Sequence, residues 1–546
     1  MQPPAPATLS CRNAFSNSLL PDMSMPLGRS PVLSLWICLL LVLGVGLRVT
    51  PQLMGTERLL QHFPSEDGYL MLTIARNLAL GLGMSTAEGT LPTNGTQPFT
   101  TFVWALGFWL VDGDKVLGVT IALWLQFAAS LVAAFLLWRL GRIVLGSRTG
   151  GNWIAAVAAV AWLASQRTVV HGMNCLESGF YVTALLAFAN LMFAGGLPFR
   201  RWTVGRALGL GLALGGIFWV RIDAVFLIAA VCLSRWLLDE RLRWAPSRAN
   251  LVAACITGAT SVAIASPWLL YNKWNFGSFT PVSGTAQSFR AGLGDNVPVL
   301  VKALLEYVSV VVPFPNGVLG ASWFVVGGAL VLAIVATQVV RIAAAGTSPA
   351  RVIAIVFGLY GLALAVYYGF VFGAAHFVSR YTFPVSPFLA LGTTSLVVQI
   401  GSWLTERRRT FAYLGTGVVV VAVVAATNWR AFQIGARHQH WQVVEFAREL
   451  PASTWVSAVQ TGTLGFFHDR TLNLDGKVNP EALAALLRGE SAWHRYIADS
   501  PADYVIDWVG MARFPIDHPD EYRGKFVVKI EDFERNLAVL ERVGRH

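Results

Sequence analysis

Long apolar stretches separated by short polar gaps dominate this chain. A hydrocarbon core about 30 Å thick is crossed by about 20 apolar residues in helical form. On that measure, spans are predicted near residues 31–49, 116–138, 152–167, 178–195, 205–220, 223–238, 249–271, 320–340, 351–373, 382–402 and 411–427, about eleven in all. Arg221 and Asp223 interrupt an otherwise continuous apolar run, which predicts a hairpin between two spans rather than one overlong helix.

Three regions break this rhythm. Residues 50–115 contain Gly68–Leu80, with Leu70, Ile74 and Leu78 at i, i+4 and i+8, and the short apolar run Phe99–Val111. Both are expected to be helices lying along the membrane surface. Residues 272–319 are rich in Gly, Ser and charge, with an interfacial helix expected over Pro298–Val312. In the tail, 428–546, charge density rises. Val456–Val459, Leu472–Leu474, Tyr504–Ile506 and Phe526–Ile530 read as strands, Pro480–Leu487 and Asp532–Val543 as helices. The expected organisation is a polar, disordered segment over 1–28, a polytopic α-helical membrane domain over 29–427, and a small α/β domain over 428–546. The apolar run starts soon after Met23 and Met25, which are alternative starts, and no cleavage site follows it.

Composition agrees with a membrane protein. The chain is 55% hydrophobic and 13% charged, against about 25% charged in soluble proteins. A net charge of +11 would suit nucleic acid, but the Arg residues sit in the gaps between spans: Arg139, Arg142 and Arg148; Arg200, Arg201 and Arg206; Arg235, Arg241, Arg243 and Arg248; Arg341 and Arg351; Arg407, Arg408 and Arg409. That spacing sets topology and forms no phosphate-binding groove. It predicts a cytoplasmic N-terminus and an extracytoplasmic C-terminal domain, in a multi-pass protein of the cell membrane. The five Cys imply no disulfide framework. Asn94-Gly95-Thr96 fits an N-glycosylation sequon, a short and weak match.

Acidic residues are scarce, 30 against 41 Lys and Arg, so the adjacent Glu66-Asp67 stands out. On the predicted topology it faces the same side as Glu177. Either could be no more than a carboxylate favoured at a helix start, worth about 0.3–1 kcal/mol. Two adjacent carboxylates exceed what capping needs, and a general base with a second, positioning carboxylate is the chemical alternative. No His/Asp/Glu cluster has clear metal-ligand spacing, so no metal site is assigned; His62 is the nearest candidate, and a divalent metal stays open. Thr93–Pro98 reads as a turn before a helix, in which Asn94 and Gln97 could instead bind sugar hydroxyls. His376 and Arg380-Tyr381 fall in an outer connection where Arg is disfavoured. Arg380 there is either a snorkelling side chain or a fork for phosphate oxygens. Arg290, Lys273 and Lys302 are less specific choices of the same kind. Arg221 and Asp223 are expected to pair.

Taken in order, five stretches resemble the GT-C superfamily of integral-membrane glycosyltransferases, and most closely its bacterial protein O-mannosyltransferase and arabinofuranosyltransferase relatives. They are Glu66-Asp67-Gly68-Tyr69 running through Ile74–Ala79 to Gly81-Leu82-Gly83; Thr93–Pro98; Leu176–Gly179; Val220–Asp223; and Ser379-Arg380-Tyr381 with Pro384 and Pro387. Gln460–Phe467 and Asn473–Gly476 look like the outer domain of such enzymes. Each motif is short and degenerate, and their order is the specific part. The resemblance implies an acidic base in the first outer loop, which maps to Asp67 or Glu66, a polyprenyl-phosphate sugar donor, and inversion at the anomeric carbon. Glu177, Asn94, Gln97 and Tyr69 would position acceptor or donor. Arg380, with Arg290 and His376, would bind phosphate, a choice resting mainly on topology. No cofactor is expected beyond that donor. The acceptor would be a hydroxyl of a glycan, lipid or protein. A transporter or flippase of lipid-linked sugars and a non-catalytic cell-envelope assembly protein are the competing readings.

Overall fold

The computed structural model describes residues 31–145, 151–193, 203–239, 242–289, 292–308, 322–345, 348–402, 406–433 and 440–544. The N-terminal segment expected to be disordered, Arg290, Arg148, Arg200, Arg201 and Arg241 lie outside them.

The chain opens with α1 (Pro31–Leu53) and the short α2 (Thr56–His62). Next come α3 (Glu66–Ala79), a two-stranded hairpin of β1 (Ser85–Thr86) and β2 (Leu91–Pro92), and α4 (Pro98–Trp109). The helical body continues through α5 (Lys115–Leu145), α6 (Gly151–Ala164), α7 (Gln166–Gly172), α8 (Ser178–Leu191), α9 (Val204–Val220), α10 (Ala224–Leu237) and α11 (Arg248–Phe276). After α12 (Val282–Ser288) and α13 (Val297–Val308) come α14 (Ser322–Ala345), α15 (Ser348–Val366), α16 (Val378–Thr382), α17 (Ser386–Ser402) and α18 (Glu406–Gln433).

Among the described residues, five segments are long and apolar enough to cross a bilayer: Leu33–Leu53, Lys115–Leu145, Arg248–Phe276, Pro349–Val371 and Ala375–Ile400. The pair α6 and α7, bent by 63°, makes a sixth. The other apolar helices, Ser178–Leu191, Val204–Val220, Ala224–Leu237, Val325–Arg341 and Phe411–Ala426, are shorter. The protein is thus a polytopic α-helical membrane protein. Lipid offers no hydrophobic drive between helices, so close packing of small residues holds them. At Gly211 of α9 a Cβ would stand 2.6 Å from Thr260 of α11, so only glycine permits this crossing.

The expected surface helices differ from each other. Phe102, Leu106 and Trp109 of α4 are exposed while Trp104 and Phe108 are buried, so this helix packs on one face. In contrast, α3 is buried almost all round, and the expectation that it lies on the membrane fails. Tyr69, Leu72 and Ala75 pack with Trp104 and Phe466, while Leu70 and Ile74 pack on Val478. The sequence shows one apolar stripe on this helix; the tail supplies cover for the remainder.

The C-terminal part contains α19 (Trp441–Ala447), β3 (Val456–Ala458), α20 (Gly462–Phe467), β4 (Thr471–Asn473), α21 (Pro480–Leu487), α22 (Glu490–Asp499) and β5 (Tyr504–Asp507). It ends with α23 (Phe514–Asp517), α24 (Pro519–Tyr522), β6 (Phe526–Asp532) and β7 (Leu537–Arg542). The strands form one mixed sheet in the order β4-β3-β5-β7-β6, parallel among the first three and antiparallel at β5–β7 and β7–β6. The helix expected over Asp532–Val543 is instead a hairpin. Asn536 takes a left-handed turn conformation (φ 51°), and Leu537–Leu540 form an inner strand buried on both faces. A short continuous apolar run cannot be told from a buried helix by periodicity alone.

Candidate active site at the joint of the α3–α4 segment and the C-terminal part

Ser65 starts α3: its hydroxyl accepts a hydrogen bond from the Gly68 N–H at 3.0 Å, while its own N–H and O–H reach the Asn174 carbonyl. Glu66 and Asp67 then occupy the first helical turn, where side chains one residue apart diverge by about 100°. The two carboxylates therefore have separate fates. Glu66 accepts from the Gly462 and Thr463 N–H groups and from the Thr463 hydroxyl (2.6 Å), capping α20 of the C-terminal part. A Cβ at Gly462 would overlap the Glu66 carbonyl, so glycine is needed for this approach.

Asp67 points the other way. Its Oδ2 accepts from Arg380 Nη1 at 2.8 Å, and its Oδ1 lies 3.6 Å from Lys477 Nζ. Lys477 is also 3.2 Å from Asp475. Burial alone would raise the Asp67 pKa, but Lys477 and then Arg380 outweigh it and hold the carboxyl below its usual range. Burial likewise disfavours the Lys477 ammonium, yet Asp475 and Asp67 lift its pKa above the usual lysine value. The pair is thus firmly ionised near neutral pH.

Arg380 extends the network. Its Nη2 donates to the Tyr381 hydroxyl (3.2 Å), which donates to Gln287 Oε1 of α12 (2.9 Å). These groups surround a small cavity of ≈ 70 Å³ whose walls include Asp67, Gln97, Glu177, Gln287, Arg380 and Lys477. That is room for a few waters. The Gln97 Oε1 is buried there without a hydrogen-bond partner. His376 is exposed and close enough to Asp67 for the two to interact electrostatically.

A second cluster lies behind the first. Arg221 is fully buried with Asp223 at 3.0 Å and Glu177 at 3.6 Å. The Tyr368 hydroxyl donates to Asp223 at 2.8 Å. The Arg221 guanidinium lies over the Tyr381 ring, 4.6 Å from its centre, and Tyr381 stacks on Tyr368 (4.4 Å, 7°). The pairing expected of Arg221 and Asp223 is therefore present, with Glu177 added to it.

Asp67, Glu177, Gln97 and Arg380 thus come together, with His376 near Asp67, while Glu66, held on α20, and Tyr69 and Asn94 do not join. The Tyr69 hydroxyl donates to the Leu60 carbonyl in a wholly buried pocket against Phe466, so Tyr69 cannot position a substrate. Asn94 is fully buried: its Nδ2 donates to Asn272 Oδ1, and its Oδ1 accepts from the Val282 N–H. Its side chain is closed both to sugar hydroxyls and to glycosylation. Arg290 is outside the described residues.

Lys477 went unnoticed in the sequence, although Asp475-Gly476 just before it carried a resemblance. Gly476 (φ 79°) turns the chain there, and a Cβ at Gly95 would overlap the Lys477 carbonyl, so a bare backbone at Gly95 lets the two segments meet. A divalent cation in the cavity would have to displace Lys477 and Arg380 from Asp67. Among the described residues, His and acidic side chains close enough to hold a metal occur at Glu490, His494 and His518, in the C-terminal part.

No family model and no curated protein matches the chain in sequence. Solved structures match it in fold. ArnT from Cupriavidus metallidurans, bound to undecaprenyl phosphate, superposes with a TM-score of 0.57 at 14% identity, covering 94% of this chain and 98% of that one. The Archaeoglobus fulgidus oligosaccharyltransferase in its apo form gives a TM-score of 0.51 at 12% identity, covering 89% of this chain and 71% of that one. At such identities the likeness is one of fold, and it is the GT-C fold expected from the ordered motifs.

Proposed function

We propose that the chain is an inverting glycosyltransferase that moves a sugar from a polyprenyl-phosphate donor to a hydroxyl of a glycan, lipid or protein. The observation that carries this reading is a carboxylate, Asp67, set against two cations, Arg380 and Lys477, in a cavity. A protein of the same fold binds undecaprenyl phosphate.

Each group has a role in this reading. The donor phosphate, an anion, competes with Asp67 for Arg380 and Lys477. As it draws them off, the carboxylate loses the charges that depress its pKa and becomes a better base. Asp67 then takes the proton of the acceptor hydroxyl while that oxygen bonds to the anomeric carbon. The bond from that carbon to the phosphate oxygen breaks, and the electron pair leaves on the phosphate, where fixed positive charge favours it. One displacement inverts the centre. The cavity is too small for a sugar, so binding requires the segment bearing Lys477 or α12 to move aside.

The five shorter apolar helices are proposed as further spans, making about eleven with the others. Lys/Arg bias then puts the N-terminus in the cytoplasm, and Asp67 and the 428–546 domain outside, where no nucleotide-sugar pool exists and the donor must be lipid-linked. The test is transfer of a labelled sugar from a polyprenyl-phosphate donor in proteoliposomes. Formation of a new glycosidic bond by the wild type and its loss in Asp67→Asn is the expected result. Substrate movement across the bilayer without a new bond would instead make the protein a transporter.

A further inference from the structure

The C-terminal part holds a second constellation of ligating side chains, apart from the Asp67 cavity. Glu490 and His494 stand at i and i+4 on α22, so they share one helix face. His518, between α23 and α24, meets them there, and the three residues place one ligand atom each within 4.8 Å of the others. His518 Nε2 is 3.8 Å from Glu490 Oε1.

The two imidazoles differ in how firmly they are held. His494 is 2% exposed, and its Nδ1 lies 3.0 Å from the hydroxyl of the fully buried Tyr522. That contact fixes the ring and leaves Nε2 available, the arrangement usual for a metal-bound histidine whose other nitrogen is held by a polar partner. Phe514 packs edge-on against the same ring at 4.9 Å. His518 lies face to face with it at 3.6 Å and 23°. Its side chain is 23% exposed and that of Glu490 is 74% exposed, so both can turn toward a common centre while His494 stays in place.

We propose that Glu490, His494 and His518 form a zinc site that braces α22 against the α23–α24 segment. Two imidazole nitrogens and one carboxylate oxygen suit zinc, with bonds of about 2.0–2.2 Å and water in the fourth position. Calcium and magnesium prefer oxygen donors throughout. The ligands come from two segments that the helix–loop packing alone brings together, so the metal adds a cross-link between them.

The experiment uses the full chain in detergent, without a polyhistidine tag, stripped with a chelator and titrated with Zn²⁺ by calorimetry and thermal unfolding. One zinc per chain at micromolar affinity and a rise in Tm on adding zinc are expected. Both should disappear in His518→Ala and in Glu490→Gln, whose side chains are partly or largely exposed and whose fold is checked by gel-filtration profile. Added Co²⁺ should give visible absorption bands from histidine ligation that His518→Ala lacks. Absence of stoichiometric zinc binding to the wild type, or wild-type binding and Tm rise in both variants, overturns the proposal.

Discussion

Two charge clusters sit back to back in this protein, and they contrast in their access to solvent. Arg221 and Asp223 are sealed, with side chains 0% and 4% exposed, and Glu177, 5% exposed, stands between them and the cavity wall. Asp67, Arg380 and Lys477 are 12–15% exposed and border a cavity. In the sealed cluster the ion pair, the Tyr368 hydroxyl and the Tyr381 ring hold the geometry, and nothing can exchange places with a partner. In the open cluster the cations border the cavity, where on the proposed function an incoming anion would replace Asp67. Residue types drawn from the same small set thus divide into a buried scaffold and a cavity-facing cluster, the proposed reactive site. Tyr381 joins them, with one face over Arg221 and its hydroxyl on Arg380.

The sharpest way to break this comparison is to disable each cluster in turn. Asp67→Asn should lower transfer by about 10²–10⁴-fold, the usual share of a general base, while the protein stays folded; initial rates in proteoliposomes measure it. An unchanged rate would remove Asp67 as the base. Arg221→Met should do the reverse in kind. It strands two buried carboxylates and should cost about 3–5 kcal/mol, seen as a lower unfolding midpoint in detergent. A stable Arg221→Met protein would show that the sealed cluster is not the scaffold.

Glu66→Gln separates the adjacent pair. It removes charge-assisted hydrogen bonds to the start of α20, worth about 1.5–3 kcal/mol for hydrogen bonds to a charged group. The expected result is faster proteolysis of the C-terminal part with transfer largely retained. Loss of transfer in an intact Glu66→Gln protein would move the base from Asp67 to Glu66. The smallest effect concerns pH. The Asp67 pKa lies below the usual carboxylate range in the folded protein. Its ionisation therefore stabilises the fold above the unfolded-state pKa of about 3.9, and this contribution is lost only as pH falls through the depressed folded value. In the substrate-free protein the unfolding midpoint should thus show little dependence on Asp67 between pH 8 and 5. A difference between wild type and Asp67→Asn that disappears already in that interval would contradict the ion pairing.

The sequence by itself determined the membrane class, the strands read at Val456–Val459, Leu472–Leu474, Tyr504–Ile506 and Phe526–Ile530, whose ends the structure shifts by one or two residues, and the helix at Pro480–Leu487. These follow from span-length apolar runs, alternation and turn residues, all local properties of the chain. The Arg221–Asp223 pairing was legible for the same reason, since the two residues sit two apart at a helix break. Only the tertiary structure decided which of Glu66 and Asp67 faces the cavity. Helical rotation separates them, but which side holds Arg380 and which holds Gly462 depends on contacts more than 300 residues apart in the chain. The same is true of Lys477, a single lysine in a polar tail until Gly476 and Gly95 let its backbone close on the segment before α4. Tyr69 and Asn94 looked like site residues because of their neighbours in sequence, yet packing turned both into the core. Local periodicity fixes what an element is. Long-range contact fixes which of its faces meets water, substrate or protein, and in this molecule that second decision made the site.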